Sequence, residues 1–548
     1  FKGTYTVGVS DKADYASIGD AVNAMKDGID GPVVFELENG TYNEVVNIAE
    51  IKGTSAVNTI TIKSKSGSYR DVKIVGGRYI APDVDSNEKV HAGYGVVTVA
   101  GADYFTLDGV TVTSSDVSYP AIVRLKDASC YVTVRNCYLY TEMSADMSLI
   151  ETYSRNIAAD TNDYLVVENC LLEGANKGMS LGASWVNTPS YEAGACVRNN
   201  TFRNQGAKAI YLQGMKAYSV TGNEFYNDRA TASYTALDMR RGFEQCIIAD
   251  NIINLATSKD ATGIYTEYIK AGQEAPGSIH NNEINIVCNA NAGAYSSFYG
   301  IKVGSKEVST NLNIVYNTVR LTGVYNSSAA LFINSSISNG AVRNNILQNE
   351  ATGHVYRIYS KDYFTGIVFS NNMTYTSGTA FAYAGTAVND FEAWKVLSGE
   401  KDSYNEQTSF LSETVLEPAQ TGNLKNAKPL AFVTTDLNGT VRDEQTPTIG
   451  AYEYGDVSDN TPVLVEGYPS FSNITHEEAT AVLKVDLSGK AFLLVKEKTA
   501  VAPTQEEVLA SEQVLQLRKG KEASVVLSSL ANQTEYILYV VLQNLKEV

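Results

Sequence analysis

Four ionisable side chains that could carry out chemistry lie in the middle of the chain: Asp238, Arg240, Glu267 and Lys302. If they face one groove, Asp238 and Glu267 could form the acid and base or nucleophile pair of a glycoside hydrolase, whose separation decides the stereochemistry. In a lyase, Arg240 or Lys302 could neutralise a uronate carboxylate while Lys302 or Tyr265 transfers a proton. We take the four as catalytic candidates.

The surrounding segments predict strands that place these residues on one outer face. From Ala121–Lys126 to Tyr356–Tyr359, apolar and polar residues alternate, so the apolar side chains are expected to point inwards. The outward positions combine aromatic, amide and charged groups, a mixture that binds sugars. The predicted substrate-binding residues are Tyr211, Tyr265, Arg241, Gln213, Arg124 and Glu151. The alternative is that these charges form ordinary surface ion pairs, which contribute little to stability.

A short recurring pattern predicts the elements that carry this face. An apolar residue and one other residue precede a turn pair that usually contains Asn, as in Val197-Arg198-Asn199-Asn200-Thr201-Phe202. Asn tolerates the left-handed backbone of a sharp turn, and inward amides can hydrogen-bond between coils about 4.8 Å apart. We expect the second turn residue to have both properties and to form an asparagine ladder in which Cys twice replaces Asn. Its rungs are Cys137, Cys170, Asn200, Asn223, Asn251, Asn282, Asn317, Asn345 and Asn372.

The repeat predicts an all-β right-handed parallel β-helix of about ten or more coils at residues 1–457. The L-x-x-L-x-L frame of leucine-rich repeats is absent, and two Trp are too few for the usual punctuation of a β-propeller. A helix at about residues 14–26 and a segment at about residues 390–457 are expected to cap the two ends. At residues 461–548 the Asn pattern stops, and the strand pattern predicts a small β-sandwich.

Composition limits the partners. The 61 Asp and Glu exceed the 43 Lys and Arg, and the net charge of −18 opposes nonspecific nucleic-acid binding. No apolar run is long enough to span a bilayer, so membrane attachment would need a lipid anchor already removed from this sequence. The six cysteines show no metal-binding spacing; we expect packed free thiols, with a Cys137–Cys170 disulfide as the alternative. We predict a monomer without a cofactor; calcium is left open, although no motif supports it.

Several segments resemble those of a known superfamily. Gly40-Thr41-Tyr42-Asn43-Glu44, and Thr435 to Arg442 followed by Thr448 to Tyr454, are similar to segments of secreted right-handed β-helix proteins of the pectin-lyase-like superfamily, in their Bacteroidetes form. The last domain resembles fibronectin type III modules. The resemblance implies a protein that is secreted, periplasmic or on the outer cell surface, with a polysaccharide or glycan as partner. The later catalytic signatures of pectin methylesterases and polygalacturonases are missing.

Two functions remain at this point. One is a carbohydrate-interacting enzyme, a polysaccharide lyase or glycoside hydrolase acting on an acidic polysaccharide. The alternative is a non-catalytic glycan-binding or adhesive surface protein that uses the solenoid as a long binding face. The fold does not decide between them, because one fold hosts many reactions. Products released from uronic-acid polymers would indicate the enzyme, and saturable binding without turnover would indicate the binding protein.

Overall fold

Short strands separated by sharp turns make up most of the chain. The computed structural model describes residues 1–84, 92–142, 146–154, 160–182, 191–230, 232–288, 296–304, 307–323, 325, 327–419, 422–454, 461–472 and 474–544. Two compact units are present, one of Phe1–Gln407 with Ile449–Ala451, the other of Thr408–Thr448 with Tyr452–Val548. The predicted domain boundary at residue 457 lies outside the described residues.

In the first unit, the strands stack into three sheets, named here A, B and C, in which each strand pairs in parallel with the strand one coil away, except that Ala387–Val388 pairs antiparallel with Ala382–Ala384. Sheet A contains Gly3–Val7, Val33–Leu37, Ile60–Ser64, Phe105–Asp108, Thr133–Arg135, Val166–Glu168, Cys196–Arg198, Ser219–Thr221, Ile247–Ala249, Gly277–His280, Leu312–Val315, Gly340–Arg343 and Ile367–Ser370. Sheet B contains Gly40–Tyr42, Val72–Gly76, Thr111–Ser114, Tyr138–Thr141, Leu171–Gly174, Thr201–Arg203, Glu224–Asn227, Ile252–Thr257, Glu283–Cys288, Thr318–Gly323, Ile346–Asn349, Met373–Thr376 and Tyr404–Asn405. Sheet C contains Val46–Ala49, Val97–Ala100, Ala121–Lys126, Ser148–Tyr153, Lys177–Gly182, Lys208–Lys216, Tyr234–Phe243, Ala261–Glu267, Phe298–Val303, Ser328–Ile333, His354–Ile358, Ala382–Ala384 and Ala387–Val388, with Glu192–Ala193 beside it. A further two-stranded sheet joins Ser309–Thr310 and Ile337–Ser338.

These sheets confirm the predicted right-handed parallel β-helix. Sheets A and B each contain 13 strands within the described residues, which agrees with the prediction of about ten or more coils. Ile60–Ser64 illustrates the cause of the fold: its alternate residues Ile60, Ile62 and Ser64 are buried. Since every coil buries one such face against the next, a single apolar core runs along the solenoid.

The turn between sheets A and B differs from the prediction in one detail. The left-handed backbone conformation belongs to the first residue of the turn pair, with φ of 54° at Asn136, 56° at Asn199 and 53° at Asn281. The second residue instead projects inwards and is buried, as Asn200 and Asn282 are. The two properties that we expected of one Asn are therefore divided between neighbours.

The inward amides form a hydrogen-bonded row with a constant direction. The side-chain Nδ2 of Asn251 donates to Oδ1 of Asn282 at 2.9 Å, and the same contact recurs from Asn200 to Asn372. Before the row, the backbone N–H of Cys170 donates to Asn200 at 2.9 Å. Cys137 and Cys170 are free and buried thiols. Each amide thus satisfies polar groups of the adjacent coils that would otherwise be buried without partners.

The last donor of this row meets a carboxylate. Nδ2 of Asn372 donates to Oε1 of Glu400 at 2.9 Å, and Ser403 and Tyr356 also donate to Oε1, at 2.8 and 3.1 Å. The indole N–H of Trp394, on the helix Phe391–Ser398, donates to the other oxygen. Burial raises the pKa of Glu400, although these four donors act in the opposite direction.

At the opposite end, the helix Ile18–Asn23 packs through its own buried residues Ile18 and Ala21. Glu44 accepts hydrogen bonds from the backbone N–H groups of Ile18 at 3.0 Å and Gly19 at 2.9 Å, and so satisfies donors that the helix itself leaves free. The hydroxyl of Tyr42 donates to the carbonyl of Val7 at 2.9 Å. Tyr42 and Glu44, two residues of the segment Gly40 to Glu44, therefore have structural roles.

The strands of sheet C bend inwards at a row of small residues. At Gly300 an added Cβ would lie 2.3 Å from Val319 Cγ1 and 2.6 Å from the carbonyl oxygen of Ala330, so a larger residue would not fit. The pairing skips this position on each strand: Thr262 pairs with Tyr299, and then Ile264 with Ile301. As a result, the residue just before the bend faces outwards, as Tyr299 does. The next outward residue on the same strand, Lys302, follows three positions later.

The second unit contains two antiparallel sheets around a small apolar core that includes Ala481, Leu493 and Leu527. One sheet contains Ser470–Ser472, Ala479–Lys484 and Glu522–Leu527, and the other contains Val514–Leu517, Gly489–Glu497 and Tyr536–Gln543. Among the described residues, its helical segments are Gln505–Leu509 and the 3₁₀ turn Gly422–Asn426, and those of the first unit include the 3₁₀ turn Lys361–Phe364. The phenolic oxygen of Tyr536 accepts from the backbone N–H of Ala531 at 2.8 Å.

Candidate functional site

The outer face of sheet C brings most of the predicted site residues together. Tyr211, Asp238, Tyr265 and Lys302 occupy one position on four successive strands. Two residues further along, Gln213, Arg240 and Glu267 form a second file on three of the same strands. We call this group, together with Lys208, the sheet C cluster. Parallel register explains the proximity, since neighbouring strands lie about 4.8 Å apart.

A buried ion-pair network lies at the centre of the sheet C cluster. The side chain of Asp238 is only 2% exposed. Its Oδ2 accepts from Lys208 Nζ at 2.5 Å and from Arg240 Nη2 at 3.1 Å, and its Oδ1 accepts from Arg240 Nε at 2.7 Å. Burial lowers the pKa of Arg240, but its hydrogen bonds to Asp238 outweigh this and the net direction is upwards. Both oxygens of Asp238 are therefore occupied by hydrogen bonds from basic side chains, and Arg240 remains charged.

The cations of the cluster lie over tyrosine rings. Lys208 Nζ is 4.2 Å from the ring centroid of Tyr211, and Arg240 Cζ is 5.7 Å from Tyr211 and 5.2 Å from Tyr265. Cations at such distances are attracted by the negative face of the ring. The ring faces that we expected to stack on sugars are thus partly occupied by positive groups, and the side chains of Lys208 and Arg240 are 24% and 30% exposed.

Lys302 is surrounded by aromatic rings. Its Nζ lies 5.4 Å from the centroid of Tyr265, 5.3 Å from Tyr299 and 5.5 Å from Phe332. Burial lowers the pKa of Lys302, and the positive charge of Arg240 lowers it further. A lysine with a lowered pKa has a larger neutral fraction near neutral pH, and the neutral amine is the form that can act as a general base.

Two tyrosine hydroxyls are held by side chains of the second file. Tyr265 donates to Glu267 Oε2 at 2.6 Å and also lies 3.2 Å from the carbonyl oxygen of Gly304. Tyr211 donates to Gln213 Oε1. Burial raises the pKa of both phenols, and for Tyr265 the hydrogen bond to Glu267 raises it further. Both phenols therefore remain protonated at neutral pH and act as hydrogen-bond donors.

Three predicted binding residues make their contacts apart from the cluster. Arg124 is 1% exposed and pairs through Nε with Glu151 Oε2 at 2.9 Å. Burial raises the pKa of Glu151, which Arg124 partly offsets. Arg241 pairs with Glu307 at 3.5 Å and lies over the ring of Tyr268 at 6.0 Å. In this conformation buried Arg124 cannot contact a ligand.

The structure adds Lys208 and Tyr299 to the site, and strict alternation could not find them. Alternation places Ala209 outwards, but the bend of sheet C turns Ala209 inwards and exposes Lys208 instead. The same bend exposes the position of Lys177, one coil earlier, in register with Lys208. The sequence does contain a usable indication of the bend, because a small residue recurs at that position on six successive strands: Gly178, Ala209, Ala236, Gly263, Gly300 and Ala330.

Within the described ranges, no group of three or more His, Cys, Asp or Glu side chains could hold a metal ion. In the same part of the chain, no helix is both long and apolar enough to cross a membrane.

Comparisons with known proteins give distant structural likenesses. No protein-family model and no curated protein sequence matches the chain. A pectate lyase structure is similar with 13% sequence identity and a TM-score of 0.36, over 83% of this chain and 97% of that one. A surface adhesin of Streptococcus pneumoniae is similar with 15% identity and a TM-score of 0.39, over 67% and 90% of the two chains. A pectin methylesterase from Aspergillus niger shares 13% identity with a TM-score of 0.29, over 61% and 85%. Identities and TM-scores at this level assign no reaction to the chain.

Proposed function

We propose that this protein is secreted or displayed at a cell surface and binds an acidic polysaccharide along the outer face of sheet C. The observation that carries the proposal is the local charge. In a chain with a net charge of −18, the outward positions from strand Lys177–Gly182 to strand His354–Ile358 carry more cations than carboxylates. The cations are Lys177, Lys208, Arg240, Lys302 and Arg357, and the carboxylates are Asp238 and Glu267.

The distribution of these cations favours a polymer over a small anion. Lys177 and Lys208 lie on adjacent coils, and Arg240 and Lys302 continue the positive groups along the solenoid. A polysaccharide with a carboxylate on many of its sugars presents negative charges along its length in the same way. Because Asp238 is buried beneath Lys208 and Arg240, the accessible groups directly around it are these two cations, and Glu267 is the remaining outward carboxylate of the cluster.

Binding to polygalacturonate, alginate and hyaluronan, with dextran as the uncharged control, tests the proposal. We expect saturable binding of at least one acidic polymer, weakened at least tenfold in the double variant Lys208→Met and Lys302→Met. Lys63→Met is the matched control, since Lys63 lies on sheet A and pairs with Glu36 at 3.0 Å. Equal binding of dextran, or equal loss in the Lys63 variant, would contradict the proposal.

Cleavage of the bound polymer by β-elimination is a second candidate function, favoured by the environment of Lys302. Its neutral amine would remove the C5 proton beside the uronate carboxylate, and the C4–C5 double bond would form as the C4–O bond breaks. The ammonium of Lys302 would then return the proton to the glycosidic oxygen, which leaves as an alcohol. Appearance of the ultraviolet absorbance of an unsaturated uronate, lost in Lys302→Met, is the expected result. Hydrolysis has less support, because both oxygens of Asp238 are held by cations.

The second unit has a separate proposed role. Two antiparallel sheets around a small core would suit a spacer of the fibronectin type III kind, at residues 461–548, that holds the solenoid away from a surface. Expression of residues 461–548 alone tests whether this segment is an independent domain. A cooperative thermal transition is expected, and its absence would contradict the proposed boundary.

A further inference from the structure

A groove on the outer face of sheet B lies outside the sheet C cluster and has a different chemical character. Its volume is about 600 Å³, within the range of sites that hold one small molecule. Small residues, called here the floor, form part of its lining: Thr113, Ser114 and Gly174. Tyr140 on the next coil is in register with Thr113, so the groove follows from the change in residue size along the sheet.

Stacked tyrosines form one wall. Tyr138 and Tyr140 lie on one strand with ring centroids 4.7 Å apart and an interplanar angle of 21°. The ring centroid of Tyr69 lies 5.9 Å from that of Tyr138. The hydroxyl of Tyr138 donates to Glu173 Oε2 at 2.8 Å, and this hydrogen bond holds the ring in place. Burial raises the pKa of the Tyr138 phenol, and the carboxylate of Glu173 raises it further. The wall is therefore rigid and has both apolar surface and hydroxyl groups.

Two donors in the groove have no hydrogen-bond or ion-pair partner among the described residues. Lys73 Nζ lies 5.4 Å from the ring centroid of Tyr140 and pairs with no carboxylate, and the hydroxyl of Tyr140 donates to nothing. Both side chains are half-buried. Neither polar atom is sealed from water, so both are accessible to a ligand that accepts hydrogen bonds.

The charges around the groove are balanced. Lys73 and Arg229 contribute two positive groups, and Glu142 and Glu173 contribute two negative ones. Unlike the sheet C cluster, this groove has no net attraction for a polyanion. Aromatic surface combined with donors and acceptors of both signs fits the apolar faces and hydroxyl groups of uncharged sugars.

We propose that this groove binds a short uncharged oligosaccharide, independently of acidic polysaccharide binding on sheet C. The ligand would lie over the small floor residues beside Tyr140 and accept hydrogen bonds from Lys73 and the Tyr140 hydroxyl. A protein with both sites could hold two different glycans on two faces of one solenoid.

Saturation-transfer NMR with the full chain and a panel of neutral di- to tetrasaccharides, followed by calorimetric titration of the strongest binder, tests this proposal. We expect Tyr140→Ala to weaken binding at least tenfold, Tyr140→Phe and Lys73→Met to weaken it by smaller factors, and Lys302→Met to leave it unchanged. Tyr140→Phe preserves the stacked ring, so its effect reports the hydroxyl even if Tyr140→Ala disturbs folding.

Three outcomes would overturn the proposal. They are the absence of transfer from every neutral oligosaccharide, affinity that is equal in Tyr140→Phe, Lys73→Met and the parent chain, and binding that Lys302→Met abolishes. The last outcome would place the sugar on sheet C. Since acidic polymers are measured separately with the sheet C variants, failure here leaves the proposed function standing, and the reverse also holds.

Discussion

Replacing Asp238 with Asn distinguishes a binding role of the sheet C cluster from catalysis by this carboxylate. The change keeps the shape of the side chain and removes the negative charge beneath Lys208 and Arg240. A ligand carboxylate held by the outer side of those cations would lie roughly 7 Å from Asp238, about two charge-assisted hydrogen bonds away. At an effective dielectric constant of about 20 to 40, repulsion between two unit charges at that distance is about 1 to 2 kcal/mol.

Asp238→Asn should therefore strengthen binding of an acidic polysaccharide by about 5- to 30-fold at low salt, since about 1.4 kcal/mol corresponds to a factor of ten. Calorimetric titration with polygalacturonate at several salt concentrations measures the effect, and the gain should diminish as salt screens the charges. Glu36→Gln is the matched control, because Glu36 pairs with Lys63 on sheet A.

Stability must be measured alongside affinity. Loss of the charge-assisted bonds to Lys208 and Arg240 should lower the free energy of unfolding by about 1 to 3 kcal/mol. The reasoning is refuted if the folded variant binds the polymer with unchanged or weaker affinity. If Asp238 instead acts directly in hydrolysis, the variant should bind substrate but lose turnover.

Three further predictions concern the solenoid. Asn251→Ala removes the donor and acceptor used by four buried groups, including Asn223 Nδ2 at 3.1 Å. It should lower the free energy of unfolding in urea by about 3 to 5 kcal/mol. Asn405→Ala, at an exposed position, should lower it by less than about 0.5 kcal/mol. Burial raises the pKa of Glu192 from 4.5 to about 7. Its contribution to the free energy of unfolding, about 3 kcal/mol, is therefore fully present below pH 4.5 and is lost as the pH rises through 7. Glu192→Gln should remove this part of the pH dependence of unfolding. Burial raises the pKa of Cys246 and Cys288 to about 12, and both thiols should react with an aromatic disulfide reagent only after unfolding.

Each of these has a clear contrary result. Equal destabilisation by the Asn251 and Asn405 variants would mean that the amide row adds little to the stability of the coils. A parallel pH dependence in the parent and Glu192→Gln chains would assign the titration to other groups. Rapid modification of Cys246 or Cys288 in the folded protein would show that the coils open locally on the time scale of the reaction.

The solenoid and much of the sheet C cluster could be predicted from the sequence because both depend on simple periodicity. Burial of alternate residues fixes which side chains face outwards, and the recurring Asn turn fixes the register between coils. Tyr211, Asp238, Tyr265 and Lys302 therefore lie on successive strands at the positions that alternation gives them.

Other features depend on contacts that periodicity does not encode. Alternation assumes a straight strand, so the bend at Ala209 concealed Lys208, the closest partner of Asp238. Alternation places Arg124 outwards, but its side chain is buried. Burial raises the pKa of Tyr79, which lies outside the strands, and the charge of Arg124 is close enough to offset part of this rise. A turn written Asn-Asn likewise cannot reveal which of the two residues adopts the left-handed backbone.

The direction of the amide row gives the two ends of the solenoid different chemistry, and this suggests how such a protein can change length during evolution. Between Asn200 and Asn345, every coil offers an amide acceptor on one side and an amide donor on the other. A duplicated or deleted coil would therefore leave matching groups at both junctions. A coil added beyond Asn372 would instead have to displace Glu400, which already closes the row. Length variants should arise from internal duplication, with the terminal coils retained.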